Sequence, residues 1–246
     1  MASHDLTKIA KLSRPIDTSA PYDSSTVVGK TILVTGGALG LGATFARHWA
    51  SCGASLMIGD INVEAGQHLI AELRKEFPNG SHHFFQCDVT DWDSQVAFFK
   101  AAAAASPHGG IDVVVANAGI VSTTDNRRFE NPTARPDDPN APYKPDTKTL
   151  DVNITAAMHT AHLALFWLPR DGSNKLNDTG NAERDGRDRC LLLLGSYAGV
   201  WHLAGAMRGT AKGRTHYTAN PRGPHISGPS LLHPLVGGVS YVHSRL

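Results

Sequence analysis

Short apolar runs alternate with stretches of helical periodicity along residues 30–195. Residues 31–34 (TILV) form an unbroken run of strand length. After them, residues 43–52 carry Phe45, Ala46, Trp49 and Ala50 at helical spacing, up to a stop at Gly53. The pattern then repeats. Residues 55–60 (SLMIGD) read as a second strand, and Asn62 can cap a helix through residue 77 that Pro78, Asn79 and Gly80 end. Residues 82–89 give a third strand. Asp91 can cap a further helix, closed by Pro107 and the pair Gly109/Gly110, and residues 111–116 (IDVVVA) give a fourth strand. The polar stretch 122–146 holds Pro132, Pro136, Pro139, Pro142 and Pro145, and that density predicts a surface loop without a regular element. A long helix is expected over 147–168, stopped by Pro169, followed by a charged loop over 171–189. Residues 190–195 (CLLLLG) lack alternation, as expected of a strand covered on both faces. Strand–helix repeats of this kind predict an α/β fold with a parallel, doubly wound sheet.

Composition narrows the function classes. A chain of 246 residues is one domain with room for a substantial core, and a net charge of +1 gives no electrostatic argument for nucleic acid or membrane binding. No apolar stretch reaches the roughly 18 residues needed to span a bilayer, and the first 25 residues lack the apolar centre of a secretory signal. Cys52, Cys87 and Cys190 are too few and scattered for a disulfide framework or zinc site, so the expectation is a cytoplasmic protein with free thiols. His159 and His162 stand three apart on a helix without an accompanying carboxylate or cysteine cluster, and read as surface histidines, with no metal site. Trp49, Trp92 and Trp167 read as core or helix-packing residues.

The organisation changes at both ends. Residues 1–29 are polar and read as an arm before a domain of residues 30–200. The last acidic residue is Asp188; residues 189–246 hold six bases and no acid, with Pro221, Pro224, Pro229 and Pro234 interrupting any helix. Within this atypical segment, 201–246, only residues 235–242 could add a strand.

The candidate chemistry falls where the strands end. Thr35-Gly36-x-x-x-Gly40-x-Gly42, with Leu41 inside it, leads from the first strand into the first helix. Glycines let the backbone approach a pyrophosphate, and the helix N-terminus offers free N–H groups and a positive dipole end. Asp60 ends the second strand, where a carboxylate can accept hydrogen bonds from adenosine ribose hydroxyls. It would repel a 2′-phosphate, and Ile61 offers no compensating base, so NAD is expected over NADP. Asp88 and Val89 end the third strand, where an acid could meet the adenine amino group or simply cap a helix. Asn117, Ala118 and Gly119 end the fourth; small residues there let backbone lie against a cofactor, and Asn117 can bridge neighbouring strand ends.

Together these residues resemble the short-chain dehydrogenase/reductases, in particular the type with an extended N-terminus common among fungal enzymes. The matching stretches are TGGALGLG at 35–42, Asp60, Asp88-Val89, Asn117-Ala118-Gly119, LDVNITAA at 150–157 and GSYAG at 195–199. The resemblance implies a Rossmann-type sheet of order 3-2-1-4-5, which could lack the last family strands at its C-terminal edge. It also implies an NAD(P)-dependent oxidoreductase interconverting a small-molecule secondary alcohol and a ketone, with secondary metabolism as a setting, and dimers or tetramers packed through the fourth and fifth helices. It further implies a catalytic group of Asn, Ser, Tyr and Lys. Asn153 and Ser196 match the first two. The tyrosine, whose phenol a lysine four residues on brings toward neutrality, would fall at 208 or 209, where Arg208 and Gly209 stand. RGTAKG keeps Lys212 without the tyrosine. YTANPRG offers Tyr217 but places Pro221 where the lysine belongs. The segment after residue 200 reads either as a divergent ending or, the favoured expectation, as a chain whose reading frame or splicing left the family sequence. Two main functions follow: an oxidoreductase using Ser196, Asn153, Tyr217 and Lys212, or a catalytically impaired dinucleotide-binding protein or inactive partner subunit. An isomerase or cyclase using the pocket without a tyrosine acid has little support in the residues.

Overall fold

A computed structural model of the chain describes residues 23–121, 132–170, 189–195 and 239–242. Strand β1 (Thr31–Thr35) is buried along its whole length and leads into helix α1 (Gly40–Ser51). Strand β2 (Ser55–Asp60), helix α2 (Val63–Glu76), strand β3 (His82–Gln86), helix α3 (Trp92–Ala105) and strand β4 (Val113–Ala116) follow in strict alternation. Asn62 accepts a hydrogen bond from Ala65 N–H (3.0 Å) to cap α2, and Asp91 accepts one from Asp93 N–H (3.2 Å) to cap α3, as their sequence positions anticipate. After β4 come strands β5 (Ala134–Arg135) and β6 (Asp138–Pro142). Helix α4 is built of Lys148–Leu150, a π-helical turn Asp151–Thr155, and Ala156–Trp167. Strands β7 (Cys190–Leu194) and β8 (Val239–Val242) complete the described elements.

The main sheet has the order β3-β2-β1-β4-β7-β8. Its first five members are parallel, so the expected doubly wound order holds with β7 as the fifth strand. Strand β8 falls within the predicted 235–242 window and adds to the edge antiparallel, Leu191 opposite Val242 and Leu194 opposite Val239. An antiparallel edge on an otherwise parallel sheet is a common variant of this architecture.

Alternation along β1 divides the core. Leu33 faces a cluster with Met57, Phe98, Phe99, Val114 and Leu163, beneath α3 and α4. Ile32 and Val34 face the other way, onto Ile58, Leu69, Leu73 and Val115, beneath α1 and α2. Covering on both faces explains the unbroken apolar runs. At the sheet's N-terminal end a polar knot fixes β1 to the start of β4. The Asp112 carboxylate accepts from Thr31 N–H (2.8 Å) and lies 2.8 Å from His108 Nε2, while the Thr31 and Ser106 hydroxyls are 2.8 Å apart. The Asp112 backbone pairs as well, its N–H donating to Thr31 O (3.0 Å) and its carbonyl accepting from Cys190 N–H (2.9 Å), and the strand proper runs from Val113 rather than from residue 111.

Three further sequence expectations need correction. The proline-rich stretch is not wholly irregular, because β5 and β6 pair antiparallel within it, with Tyr143 N–H donating to Thr133 O (3.1 Å). Pro139 and Pro142 are tolerated because this exposed ribbon is only two strands wide, so each strand has an edge that needs no N–H donor. The third strand ends at Gln86 rather than residue 89: after a last ladder bond from Cys87 N–H to Asp60 O (3.0 Å), Asp88 O accepts from Asp91 N–H (3.1 Å) and the chain turns toward α3. The long helix is interrupted by its π turn.

Candidate active site

The glycine turn sits between the ends of β1, β2 and β4. Gly36 adopts φ +63°, and a Cβ there would lie 2.6 Å from Ala118 Cα, so only glycine lets the turn pass the end of β4. Its N–H donates to Gly59 O (2.7 Å), which ties the turn to β2. A Cβ at Gly42 would meet Gly36 O at 2.4 Å, which lets α1 seat directly against the turn. Gly40, at φ +56°, faces open space, and Leu39 supplies no side-chain cap to the helix that starts there. The start of α1 is therefore uncrowded at Gly40, and the first N–H groups of a helix have no partner within it. That shape and polarity fit a dinucleotide pyrophosphate.

Asn117 ties the strand ends together. Its Nδ2 donates to Thr35 O (3.0 Å) and Gly36 O (2.7 Å), and the Thr35 hydroxyl accepts from the N–H groups of Asn117 (3.2 Å) and Ala118 (3.3 Å). Asp60 does more than end its strand. One carboxylate oxygen accepts from Ala38 N–H in the glycine turn (3.0 Å), the other from Asn62 N–H (2.9 Å). Each oxygen keeps a second lone pair, so the braced carboxylate can still accept ribose hydroxyls. Asp88 accepts from the Thr90 N–H (2.9 Å) and hydroxyl (2.7 Å) through a single oxygen, which leaves the other open. Beside it, burial pushes the Cys87 thiol up to about 11, countered in part by its hydrogen bond with Ser94 and reinforced by the negative charge of Asp88. Val89 is buried and lines a small apolar recess with Ala116, Ala118, Val152, Ala156 and Thr160. Leu39, Ile61, Ile120 and Val121 are exposed apolar residues on the turns that leave β1, β2 and β4, and Leu41 is exposed in the first turn of α1.

Asn153 lies in the π turn of α4 and is buried. Its amide clamps one backbone unit from both sides: Oδ1 accepts from Ile120 N–H and Nδ2 donates to Ile120 O, each at 2.8 Å. The structure thus brings Asn153 to the same strand ends as Thr35, Gly36, Asn117, Ala118 and Gly119. Ser196, Lys212 and Tyr217 lie outside the described residues, which reach Gly195 at the end of β7. The residue-by-residue reading missed Gln95, which is fully buried and hydrogen-bonded to Val89 and to α4. The signal was present, because Gln95 falls on the apolar stripe of α3 with Phe98, Phe99 and Ala102.

Comparison with known proteins agrees with this geometry. The family model for short chain dehydrogenases matches residues 30–174. The chain is 32% identical over 183 residues to 5′-hydroxyaverantin dehydrogenase of Dothistroma septosporum, covering 72% of this chain and 55% of that protein. It is 31% identical over 191 residues to the 5′-hydroxyaverantin dehydrogenase stcG of Emericella nidulans, covering 75% and 57%. It is 32% identical over 179 residues to the NADP-dependent dehydrogenase M3 of a Phoma species, covering 72% and 48%. The chain spans about half the length of these curated relatives. With the glycine turn, the Asn117 brace and the Asn153 clamp assembled at one end of a 3-2-1-4-5 sheet, the chain belongs to the short-chain dehydrogenase family.

Proposed function

We propose that this chain binds NAD and interconverts a secondary alcohol and a ketone. The observation that carries the reading is the Asp60 carboxylate, braced by Ala38 N–H against the turn in which Gly40 leaves open space at the start of α1. A braced carboxylate beside the ribose favours the 2′-hydroxyl and repels a 2′-phosphate, which supports NAD although one relative is named NADP-dependent. Residues 30–200 form the dinucleotide-binding domain in this reading, preceded by an arm, 1–29, and followed by segment 201–246. Thr35, Gly36, Gly40, Leu41 and Gly42 hold the pyrophosphate; Asp88 and Val89 meet the adenine; Asn117, Ala118 and Gly119 lie under the nicotinamide half. Bound NAD supplies a hydride acceptor at the nicotinamide ring. Ser196 orients the substrate oxygen, Asn153 supports a relay water, and Tyr217 and Lys212 are the groups available to move the proton. The name 5′-hydroxyaverantin carried by two relatives supports a hydroxyl-bearing substrate from secondary metabolism. Met158, Leu165 and Phe166, exposed on α4, support self-association through that helix.

Titration with NADH, followed by nicotinamide fluorescence, tests the cofactor. Saturable binding that weakens at least tenfold in Asp60→Ala is expected; no binding at millimolar concentration overturns the reading. The presence of Arg208 and Gly209 where the family's tyrosine belongs favours a second reading, a dinucleotide-binding protein without hydride transfer. Alcohol-dependent NADH formation that disappears in Tyr217→Phe would exclude that second reading.

A further inference from the structure

We infer that Gln95 is a positioning residue that couples the adenine-side turn at Val89 to the π turn carrying Asn153. Its side chain is completely buried in an otherwise apolar helix face. Burying an amide is unfavourable unless its hydrogen-bonding capacity is used, and here it is. Nε2 donates to Val89 O (2.6 Å) on one side and to Ala156 O (3.2 Å) on the other, while Oε1 accepts from the Thr160 hydroxyl (2.8 Å). One amide therefore joins three chain segments: the turn after β3, helix α3 and helix α4.

The attachment point on α4 matters. Ala156 immediately follows the π turn, and its N–H donates five residues back to Asp151 O, the bond that widens the turn. A widened turn is a local departure from the regular helix, and ties to neighbouring segments favour it. Gln95 bonds to Ala156 O, and the single hydroxyl proton of Thr160 is shared between that oxygen (2.9 Å) and Gln95 Oε1, so the group holds the C-terminal side of the wide turn. On its other side, Asn153 holds Ile120 by two bonds. Val89, Ala156 and Thr160 also line the apolar recess shared with Thr35 and Ala118, so the residues that Gln95 ties together form part of its wall. Movement of Val89 and rotation of the Asn153 turn are consequently linked through one side chain. This inference rests on the dehydrogenase reading for the importance of Asn153, but the linkage itself is testable without cofactor.

Gln95→Leu keeps the volume and removes every hydrogen bond; Gln95→Glu keeps the shape, and burial against the Val89 and Ala156 carbonyls favours its neutral carboxyl, which has one donor for two acceptors. The measurement is amide hydrogen exchange of the full-length chain, comparing Ile120, whose N–H is held by Asn153, with Leu33 and Val114 in the core. In both variants the Ile120 amide should lose about tenfold more protection than the core amides, because a local opening separates from global unfolding. Raising the pH should cost further protection selectively in Gln95→Glu, as the carboxyl ionises and loses its one donor. Equal loss at Ile120 and in the core would mean that Gln95 only stabilises the fold, and would overturn the inference. NADH affinity is read in parallel and should weaken about tenfold in Gln95→Leu, the size expected for stranding buried partners next to Val89. Absence of NADH binding by the unaltered protein would overturn the proposed function while leaving the exchange result to decide the role of Gln95.

Discussion

His82 enters β3 with 1% of its surface exposed. Its Nε2 lies 3.1 Å from Phe77 O, and among the described residues Nδ1 meets no hydrogen-bond partner. Burial holds its proton affinity below the ordinary value of 6.5; the Phe77 carbonyl partly opposes this, while the positive charge of Arg74 reinforces it. Neighbouring His83 is lowered for the same leading reason. The folded state thus binds fewer protons than the unfolded chain at pH values below about 6.5. The contribution is fully present above that pH and is lost progressively as pH falls toward the depressed folded values. Thermal unfolding measured from pH 8 to pH 5 should show a falling melting temperature below pH 6.5, and His82→Phe should flatten that slope. An equal slope in the variant would remove His82 as its source. The His82 ring packs against the turn before β3, where a Cβ at Gly80 would lie 2.5 Å from it.

Helix caps were legible because they act within a few residues. Asn62 and Asp91 were expected as caps from local sequence, and both accept the anticipated N–H groups. Replacing Asn62 by Ala should lower stability by about 1 kcal/mol, seen as a lower urea midpoint with an unchanged slope. The neighbouring Asp60 brace uses the Asn62 backbone N–H rather than its side chain, so NADH affinity should remain within twofold of the original. A large loss of affinity would mean that the cap and the ribose carboxylate are not separable. Elements depending on distant partners were less legible. No residue in LDVNITAA announces a π turn, because its supports, Ile120 and Gln95, are 33 and 61 residues away from the positions they hold. The β5–β6 ribbon was hidden for another reason: proline statistics describe wide sheets, in which both edges of a strand need donors, and this ribbon has just two strands.

At the scale of the molecule, the two ends of the sheet are finished differently. At the N-terminal end, Asp112 and Thr31 lock β1 to the start of β4, with Ser106 and His108 packed against them. At the C-terminal end, the backbone of Gly40 faces open space and the N-terminus of α1 has no side-chain cap. The fold class was readable from alternating patterns alone, since covering both faces of a sheet imposes apolar runs on every central strand. The asymmetry between the ends was readable only in part, because the glycines mark one end while the Asp112 knot joins residues 81 positions apart. It has a measurable consequence. A ligand that binds only the folded chain stabilises it by about 2.7 kcal/mol at a hundred times its Kd. For a chain of this length that corresponds to a rise of roughly 5–10 °C in melting temperature. Saturating NADH should therefore raise the melting temperature by that amount and slow amide exchange at residues 36–42, at Ile61 and at residues 117–120. Under the same conditions the Thr31 amide, held by Asp112 at the opposite end, should change only as far as global stability changes. Protection gained chiefly at Thr31 and Asp112 would place the ligand at the wrong end of the sheet and refute the site. Protection gained at the glycine turn but not at Ile61 would instead separate pyrophosphate binding from the ribose contact, and with it remove the argument for NAD.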